Sequence, residues 1–151
     1  MLQLARNEDR EAVNALAVQV HDLHVSWRPD IYTHCEQLYT HERFQQTVKA
    51  RQLYVAKTDD VVVGYVLLII GQAAHPALTP RKIMKIEEFC VHELARGQGI
   101  GKAMMADVRA LAQAFGCTDL QLGVYPQNDE AVGFYQKCGF TIRSIEMQRK
   151  V

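Results

Sequence analysis

A glycine-rich stretch between a strand-like run and a helix-like run holds the residues best suited to bind a charged ligand. It reads Arg96-Gly97-Gln98-Gly99-Ile100-Gly101-Lys102. The first amides of a helix have no backbone acceptor, and the helix dipole places partial positive charge there. Glycines let a ligand approach the backbone, and Arg96 and Lys102 add two full charges. The stretch therefore predicts a binding site for a phosphate or pyrophosphate group.

Two common phosphate-binding patterns do not fit this stretch. A Walker A loop needs a glycine at position 96 and a hydroxyl residue at position 103, where the chain has Arg96 and Ala103. The dinucleotide pattern GxGxxG would need a third glycine at Lys102, and no βαβ unit begins the chain. The sequence therefore argues against a P-loop enzyme and against a dinucleotide-binding domain.

Hydrophobic spacing predicts the elements that must position the stretch. Alternation predicts strands over residues 2–4, 53–57, 61–70, 83–91, 120–124 and 140–147, the last with a bulge near Arg143. Helical spacing predicts helices after an N-cap at Asn7, over 41–51, over 100–115 and after an N-cap at Asn128. The sum is one domain, 1–151, of the α/β (α+β) class, with a largely antiparallel sheet flanked by helices.

The composition is that of a globular domain. Of the 151 residues, 48% are hydrophobic and 23% are charged, and the formal net charge is zero. A non-specific nucleic-acid binder normally shows a basic excess, and a membrane-spanning helix needs about 20 apolar residues in a row. The sequence shows neither. The N-terminal segment has no secretory apolar core, and the four cysteines form no CxxC pair, so we expect reduced thiols and a cytoplasmic location.

Two blocks of sequence resemble those of one enzyme family. Arg96, Gly99 and Gly101 match the pattern Q/R-x-x-G-x-G/A, and residues 128–140 match N-x-x-A-x-x-F-Y-x-x-x-G-F. Both are similar to the conserved blocks of the GNAT superfamily of acetyl-CoA-dependent N-acetyltransferases, and residues 86–91 resemble its central strand. The clear match covers about residues 83–142.

The resemblance implies a twisted sheet with splayed central strands and a pantetheine arm of acetyl-CoA in the gap. It also implies that the backbone near Phe89 and Val91 pairs with that arm. The Val91 amide would face the thioester carbonyl and stabilise the negative charge that develops there. The resemblance assigns coenzyme binding to Phe89, Cys90, Val91, Arg96, Gly97, Gln98, Gly99, Ile100, Gly101, Lys102, Asn128 and Tyr135. No metal is expected.

Acetyl transfer to an amine needs a base and an acid. An alkylammonium group, with a pKa near about 10.4, must lose a proton before it attacks, and the departing thiolate leaves better if it gains one. Tyr135 matches the position of the acid in many family members. Alternation places Glu87 on the face of Phe89 and Val91, and the surrounding residues resemble those of polyamine acetyltransferases. We therefore expect Glu87 to be the base, directly or through water, with Glu88 as the alternative.

Some of these residues also have structural interpretations. Tyr135 suits a packed core position, and Glu87 suits a solvent-facing position on a strand. Asn128 suits a helix cap as well as a coenzyme contact. Cys90 as an acyl-accepting nucleophile would need a partner base, and the sequence shows none.

The acceptor-binding residues stay open at this point. His21 and His24 have a spacing close to that of metal ligands, but no third ligand is identifiable. Trp27 and Tyr32 fall in the segment that varies with the acceptor in the family. Aromatic residues there either line a pocket or pack as ordinary anchors.

The sequence thus predicts an N-acetyltransferase that uses acetyl-CoA and acts on a primary amine by direct attack in a ternary complex. The alternative is a module of the same fold that senses acyl-CoA and has lost turnover. The acceptor would be a small amine or polyamine, an amino acid, an aminoglycoside-like compound or a protein N-terminus, and neither nucleic acid nor a membrane is an expected partner. An exposed terminal strand at 142–147 would allow two copies to pair as a homodimer.

Overall fold

The computed structural model describes all residues, 1–151, and contains one five-stranded sheet and four helices. The strands are β1 (Leu2–Leu4), β2 (Leu53–Thr58), β3 (Val61–Ala73), β4 (Arg81–Val91) and β5 (Asp119–Leu122). The helices are α1 (Arg10–Trp27), α2 (His41–Lys49), α3 (Ile100–Ala114) and α4 (Asp129–Lys137). The strands lie in the order β1-β2-β3-β4-β5, and only β4 and β5 are parallel. The predicted fold class is confirmed.

The helices cover both faces of the sheet, and each face buries its own core. The face under α1 and α2, the α1–α2 face, buries a cluster that includes Val13, Leu16, Tyr39, Phe44, Leu53, Val55 and Leu67. The opposite face, the α3–α4 face, buries a cluster that includes Val66, Leu68, Met84, Ile86, Met105 and Val108. Strands β2, β3 and β4 supply both cores because successive side chains of a strand point to opposite faces. None of the helices is both long enough and apolar enough to cross a membrane.

Local sequence signals account for several turns and caps. Asp59 and Asp60 connect β2 to β3 with φ angles of 50° and 61°, the left-handed pair that suits the twist of a two-residue hairpin. Gly116 follows α3 with a φ of 71° and ends that helix. The Asn128 side chain accepts a hydrogen bond from the Ala131 amide at 3.1 Å, so the predicted N-cap of α4 is present.

The predicted N-cap at Asn7 is wrong. Residues Asn7–Asp9 form a 3-10 turn, and α1 begins at Arg10. The Asp9 carboxylate accepts a hydrogen bond from the Arg6 amide at 2.9 Å and lies 2.7 Å from the Lys57 ammonium of β2. Asp9 is 3% exposed, so a tertiary ion pair with a neighbouring strand decides how the helix begins.

A β-bulge interrupts β4 at Glu87. Leu67 of β3 lies opposite Glu88, whereas the next residue, Leu68, lies opposite Ile86. Glu87 is therefore the extra residue that has no partner on β3. A bulge of this kind changes which face the following side chains point to.

The bulge corrects the predicted orientation of Glu87. Its carboxylate pairs with the Lys85 ammonium at 2.7 Å, and Lys85 alternates with side chains that are buried in the α3–α4 core. Phe89 and Val91, in contrast, pack on the α3–α4 side. Glu87 therefore does not share a face with Phe89 and Val91, because the extra residue breaks the alternation on which that expectation rested.

Strands β4 and β5 separate partway along the length of β4. β4 pairs with β5 only through residues 83–86, which lie opposite 119–122. β4 then continues to Val91 while still paired with β3 on its other side. The edge of β4 that faces β5 is consequently unpaired from Glu87 onward, and the sheet contains the predicted split.

The strand predicted over 140–147 is absent. Residues 140–151 belong to no helix or strand, and every side chain from 141 onward is exposed. Ile142, Ile145 and Met147 are 75%, 79% and 94% exposed. A strand exists only where a neighbour accepts its hydrogen bonds, and this segment does not lie along the free edge of β5, the edge of the sheet at that end.

Two glycines of β3 provide a test of the packing that brings the end of β4 to α3. A Cβ at Gly64 would meet the Cys90 carbonyl oxygen at 2.7 Å and the Met104 sulfur at 2.8 Å, whereas a Cβ at Gly71 would meet nothing within 4 Å. We expect Gly64→Ala to lower the free energy of unfolding by about 1–3 kcal/mol because the backbone of β4 must move. Gly71→Ala, the control, should change it by less than about 1 kcal/mol. Urea unfolding measures both, and equal effects would contradict this packing.

Candidate active site

Six consecutive backbone amides are free at the start of α3. The amides of residues 97–102 donate no backbone hydrogen bond, and the first one in the helix is donated by Ala103 to the Gly99 carbonyl at 3.0 Å. Gly97 and Gly99 have φ angles of 75° and 81°, a conformation that costs other residues about 1–2 kcal/mol. The glycines therefore shape a loop whose amides, with the dipole of α3, can bind an anion.

Arg96 connects this loop to two other elements. Its Nε donates a hydrogen bond to the Val91 carbonyl at 3.2 Å, and its guanidinium lies 3.8 Å from the Glu130 carboxylate at the start of α4. Its side chain is 37% exposed, which leaves the charge accessible. Arg96 thus places a positive charge beside the free amides.

Aromatic side chains fill the space between β4 and α4. Phe89 of β4 lies 5.8 Å from Phe134 and 6.2 Å from Tyr135 between ring centroids. A Cβ at Gly101 would lie 3.4 Å from Phe134 and 3.6 Å from Val91. The first turn of α3, the end of β4 and the middle of α4 therefore form one continuous wall on the α3–α4 face, next to the split between β4 and β5.

The amide of Val91 points into that split. Adjacent amides of a strand point to opposite edges. The His92 amide donates to the Val63 carbonyl of β3 at 2.8 Å, so the Val91 amide faces the other edge, from which β5 has separated. The chain thus has a free donor at the end of β4, beside the free amides of α3.

Tyr135 carries a hydroxyl that is available for proton transfer. Its ring packs against Phe89, Phe134 and Phe140, while its hydroxyl makes no hydrogen bond within the chain and is not sealed from solvent. Burial raises the pKa of Tyr135 to about 12, with smaller contributions from Cys138 and Cys90. The hydroxyl is therefore protonated at neutral pH and can act as an acid.

The two glutamates of β4 differ in how many partners they have. The Glu88 carboxylate accepts hydrogen bonds from the hydroxyls of Tyr65 (2.7 Å) and Tyr39 (2.9 Å) and pairs with Arg43. Tyr65 belongs to β3, whereas Arg43 belongs to α2 and Tyr39 to the segment before it, so the Glu88 carboxylate joins that part of the chain to the sheet. Glu87 has the single partner Lys85. Glu88 is thus committed to a structural network, and Glu87 is the freer carboxylate at the split.

An aromatic cluster joins the end of α1 to the connection after β5. The hydroxyls of Tyr32 and Tyr125 lie 2.8 Å apart, and the His24 ring lies 5.5 Å and 5.6 Å from their rings. Trp27 lies 5.6 Å from His24. Burial, and then the charge of His21, lowers the pKa of His24, so its ring is mostly neutral at pH 7.

The sequence pointed to most members of this cluster but missed Tyr125. The only sequence signal was an aromatic residue in the connection from a strand to a helix. A cavity of about 410 Å³ opens beside it and is lined by Arg28, Tyr125, Pro126, Gln127, Glu146, Gln148 and Lys150. The His21 and His24 rings both pack against Tyr32 in this cluster. The chain holds no group of three or more His, Cys, Asp or Glu side chains arranged for a metal ion.

Cys90 lies on the α1–α2 face and away from the aromatic wall. Its thiol donates to the Leu16 carbonyl at 3.7 Å. Burial raises the pKa of Cys90 to about 12, although the charge of Arg96 acts in the other direction. A thiol of this kind is a poor nucleophile, so only its backbone can take part in binding a ligand in the split.

A comparison with protein families identifies the family of the chain. The profile of the Acetyltransferase (GNAT) family matches residues 17–140, which is well over half of the chain. The chain therefore belongs to the GNAT acetyltransferase family. The resemblance seen in the sequence is confirmed.

The individual curated proteins that the chain resembles match it over about half of its length. The chain is 31% identical over 74 residues to the uncharacterized N-acetyltransferase YdgE of Bacillus subtilis (strain 168), a match that covers 49% of this chain and 47% of that protein. It is 30% identical over 82 residues to glucosamine 6-phosphate N-acetyltransferase 1 of Oryza sativa subsp. japonica, with coverages of 50% and 48%. The chain thus spans about half the length of the curated relatives it matches.

Solved structures resemble the whole chain. A crystal structure of a mutant of the BH1408 protein from Bacillus halodurans has a TM-score of 0.95 at 28% identity and covers 100% of this chain and 99% of that one. A second mutant of the same protein has a TM-score of 0.94 at 27% identity. The fold of the whole chain is therefore one that these solved structures share.

The chemistry of Cys90 can be tested by thiol labelling. Cys35 is exposed and Cys90 is buried, so we expect a disulfide reagent at pH 8 to modify Cys90 at least about 100-fold more slowly than Cys35. Mass spectrometry of the labelled peptides measures the two rates, and labelling in urea serves as the control in which both react. Rapid labelling of Cys90 in the folded protein would reopen the possibility of covalent catalysis.

Proposed function

We propose that this protein binds acetyl-CoA and transfers its acetyl group to a primary amine by direct attack within a ternary complex. The observation that carries the proposal is the row of six free amides at the start of α3, which opens directly beside the split between β4 and β5. Membership of the GNAT acetyltransferase family supports acetyl transfer as the activity. No observation favours the alternative of a sensing module without turnover.

The coenzyme would bind along one continuous path. Its pyrophosphate would accept hydrogen bonds from the amides of residues 97–102, with Arg96 and Lys102 supplying positive charge. Its pantetheine arm would pair with the open edge of β4 from Phe89 to Val91. The Val91 amide would then stabilise the negative charge on the thioester oxygen as the amine attacks.

The acid and the base would act from opposite faces of β4. Tyr135 lies on the α3–α4 side, where the coenzyme thiolate would leave, and its protonated hydroxyl would supply the proton. Glu87, which the bulge separates from the face of Phe89 and Val91, would accept the proton of the incoming amine directly or through water. Glu87 suits this role better than Glu88, because the hydrogen bonds of Glu88 are already used by Tyr39, Tyr65 and Arg43.

The acceptor would enter from the side of the aromatic cluster. Tyr32, Tyr125, His24 and Trp27 offer ring faces that can contact the carbon skeleton or the positive charge of an amine. One relative is named for a sugar phosphate amine, and the proposal includes small amines, polyamines, amino acids, aminoglycoside-like compounds and protein N-termini. Release of free CoA across a panel of these amines, with coenzyme alone as the control, would identify the class.

Two further points belong to the proposal. The four cysteines are free, which supports a reducing compartment such as the cytoplasm. The exposed segment at 142–147 supports a homodimer. No nucleic acid, membrane or metal takes part in the proposed reaction.

The anion site can be tested with two matched glycine variants. Gly99 and Gly116 lie at opposite ends of α3, both have positive φ angles (81° and 71°), and a Cβ at either would meet nothing within 4 Å. We expect Gly99→Ala to raise the Kd of acetyl-CoA by about 10-fold, because a strained αL residue costs about 1–2 kcal/mol and moves the amides. Gly116→Ala carries the same strain far from the site and should leave the Kd unchanged.

Isothermal titration calorimetry measures both constants. The wild-type protein should show saturable binding at submillimolar acetyl-CoA. Absence of that binding, or equal losses in the two variants, would remove the coenzyme site and the enzyme proposal with it.

The role of Tyr135 can be tested with a second pair of variants. Tyr135→Phe keeps the ring and removes the hydroxyl, so we expect kcat to fall by about 100-fold while the Kd of acetyl-CoA stays within about 2-fold. Tyr54→Phe removes the hydroxyl of another buried tyrosine from the same apolar cluster and should leave kcat nearly unchanged. Steady-state kinetics with an active amine measures kcat of both variants. A Tyr135→Phe variant with wild-type kcat would exclude Tyr135 as the acid.

A further inference from the structure

Glu87, the proposed base, is paired with a side chain that carries a permanent positive charge at neutral pH. The Lys85 ammonium lies 2.7 Å from Oε1 of Glu87, and the two side chains are 52% and 33% exposed. A carboxylate has two oxygens and accepts hydrogen bonds at both. An ammonium group of an acceptor can therefore bind the second oxygen of Glu87, and it then lies close to the positive charge of Lys85.

The Lys85–Glu87 pair lies where β4 and β5 begin to separate. The pairing of the two strands ends at Ile86 and Leu122, one residue before Glu87. Gln121 of β5 lies opposite Lys85, and residues in register on neighbouring strands point to the same face of a sheet. The mouth of the split on this face therefore offers a carboxylate, an ammonium group and a neutral carboxamide next to one another.

The neighbouring charges on this face already have partners of their own. Farther back along β4, the Arg81 guanidinium pairs with the Asp119 carboxylate of β5 at 3.4 Å. On the other side of Glu87, the Glu88 carboxylate is held by two tyrosine hydroxyls and a guanidinium. Lys85 and Glu87 are therefore the positive and the negative charge that a ligand at the mouth of the split meets first.

We propose that the acceptor carries a carboxylate next to its primary amine, as a free α-amino acid does. Its ammonium group binds the second oxygen of Glu87, its carboxylate binds the Lys85 ammonium, and the Gln121 carboxamide adds a neutral donor. The two charged groups of an α-amino acid are attached to one carbon, so they match protein charges that lie 2.7 Å apart. This inference rests on the proposed acetyl transfer and narrows its acceptor to one class.

A polyamine fits the same pair less well, although the residues around Glu87 resemble those of polyamine acetyltransferases. A polyamine brings no negative charge to Lys85, so every ammonium group that approaches Glu87 is repelled by a neighbouring charge of the same sign. The formal net charge of zero gives the protein no overall field that attracts a polycation. The Lys85 charge thus selects for a carboxylate and against a second ammonium group.

Lys85 takes no part in the proton transfers of the reaction. Glu87 accepts one proton from the acceptor ammonium, and the resulting amine bonds to the carbonyl carbon of the thioester. The carbon–sulfur bond then breaks, and the sulfur of the coenzyme takes the hydroxyl proton of Tyr135. Lys85 keeps its proton and its charge throughout, so its effect falls on acceptor binding and selection rather than on the chemical step.

The first experiment compares matched acceptors. Each amino acid of a panel is paired with the amine that its decarboxylation gives, such as phenylalanine with phenethylamine, and putrescine represents the polyamines. For the best pair we expect kcat/KM of the wild-type protein to be at least about 10-fold higher with the amino acid. Lys85→Gln should lower this ratio at least about 10-fold by raising KM for the amino acid, whereas Lys85→Arg should largely keep it. Differences in pKa between the two substrates cancel, because both proteins receive the same pair.

Lys82→Gln is the matched control variant. Lys82 lies on the same strand, but its ammonium group donates a hydrogen bond to the Phe115 carbonyl at the end of α3 at 2.6 Å, on the opposite face of the sheet. The substitution removes one positive charge from β4, as Lys85→Gln does. The ratio between amino acid and amine should therefore stay within about 2-fold of the wild-type value.

The second experiment measures acceptor binding without turnover. Protein saturated with CoA has no acetyl group to transfer, so the amino acids and amines of the panel can be titrated into it by calorimetry. We expect Lys85→Gln to raise the Kd of the amino acid that binds best by at least about 10-fold, and not to raise the Kd of the matched amine. Lys82→Gln should change neither constant by more than about 2-fold.

The outcomes separate this inference from the proposed function. Acetyl transfer that favours the amines or putrescine, or a preference for the amino acid that persists in Lys85→Gln, would overturn the acceptor class and leave acetyl transfer intact. Amino-acid binding that depends on Lys85, without transfer from acetyl-CoA, would overturn the proposed function alone. A protein that binds no CoA would overturn both.

Discussion

The structure depends on the unequal hydrogen bonding of β4. On one edge β4 is paired with β3 along nearly its whole length, and on the other it is paired with β5 only over residues 83–86. An unpaired strand edge costs free energy unless something accepts and donates its hydrogen bonds. The open edge of β4 therefore suits an extended ligand, and it leads directly to the free amides of α3.

The bulge at Glu87 lies where this separation begins. By adding one residue, it places Glu87 and Glu88 together on the α1–α2 face and shifts Phe89 and Val91 to the α3–α4 face. Acetyl transfer would use these two faces, with the base on one side of the thioester and the acid on the other. The network of Glu88 with Tyr39, Tyr65 and Arg43 keeps the bulged strand attached to α2.

The two faces also differ in how complete they are. The α1–α2 core is sealed by fully buried residues such as Tyr39 and Phe44. The α3–α4 side ends in α4, in which no residue is fully buried, and in the outer edge of β5. The proposed coenzyme wall lies on this less complete side, where the single chain leaves backbone donors without partners.

The sequence by itself determined the features that depend on neighbouring residues. The glycine loop, the caps at Asn128 and Gly116, the Asp59-Asp60 turn and the periodicity of α3 follow from local backbone preferences and dipoles, so they could be predicted without the fold. Only the tertiary structure decided the rest, because it depends on contacts between distant parts of the chain. The Asp9–Lys57 ion pair moves the start of α1, and the register between β3 and β4 produces the bulge that separates Glu87 from the face of Phe89. Tyr125 meets Tyr32 only after the sheet forms. The segment after Gly139 has the alternation of a strand but no neighbour within its own chain, and a strand cannot form without one.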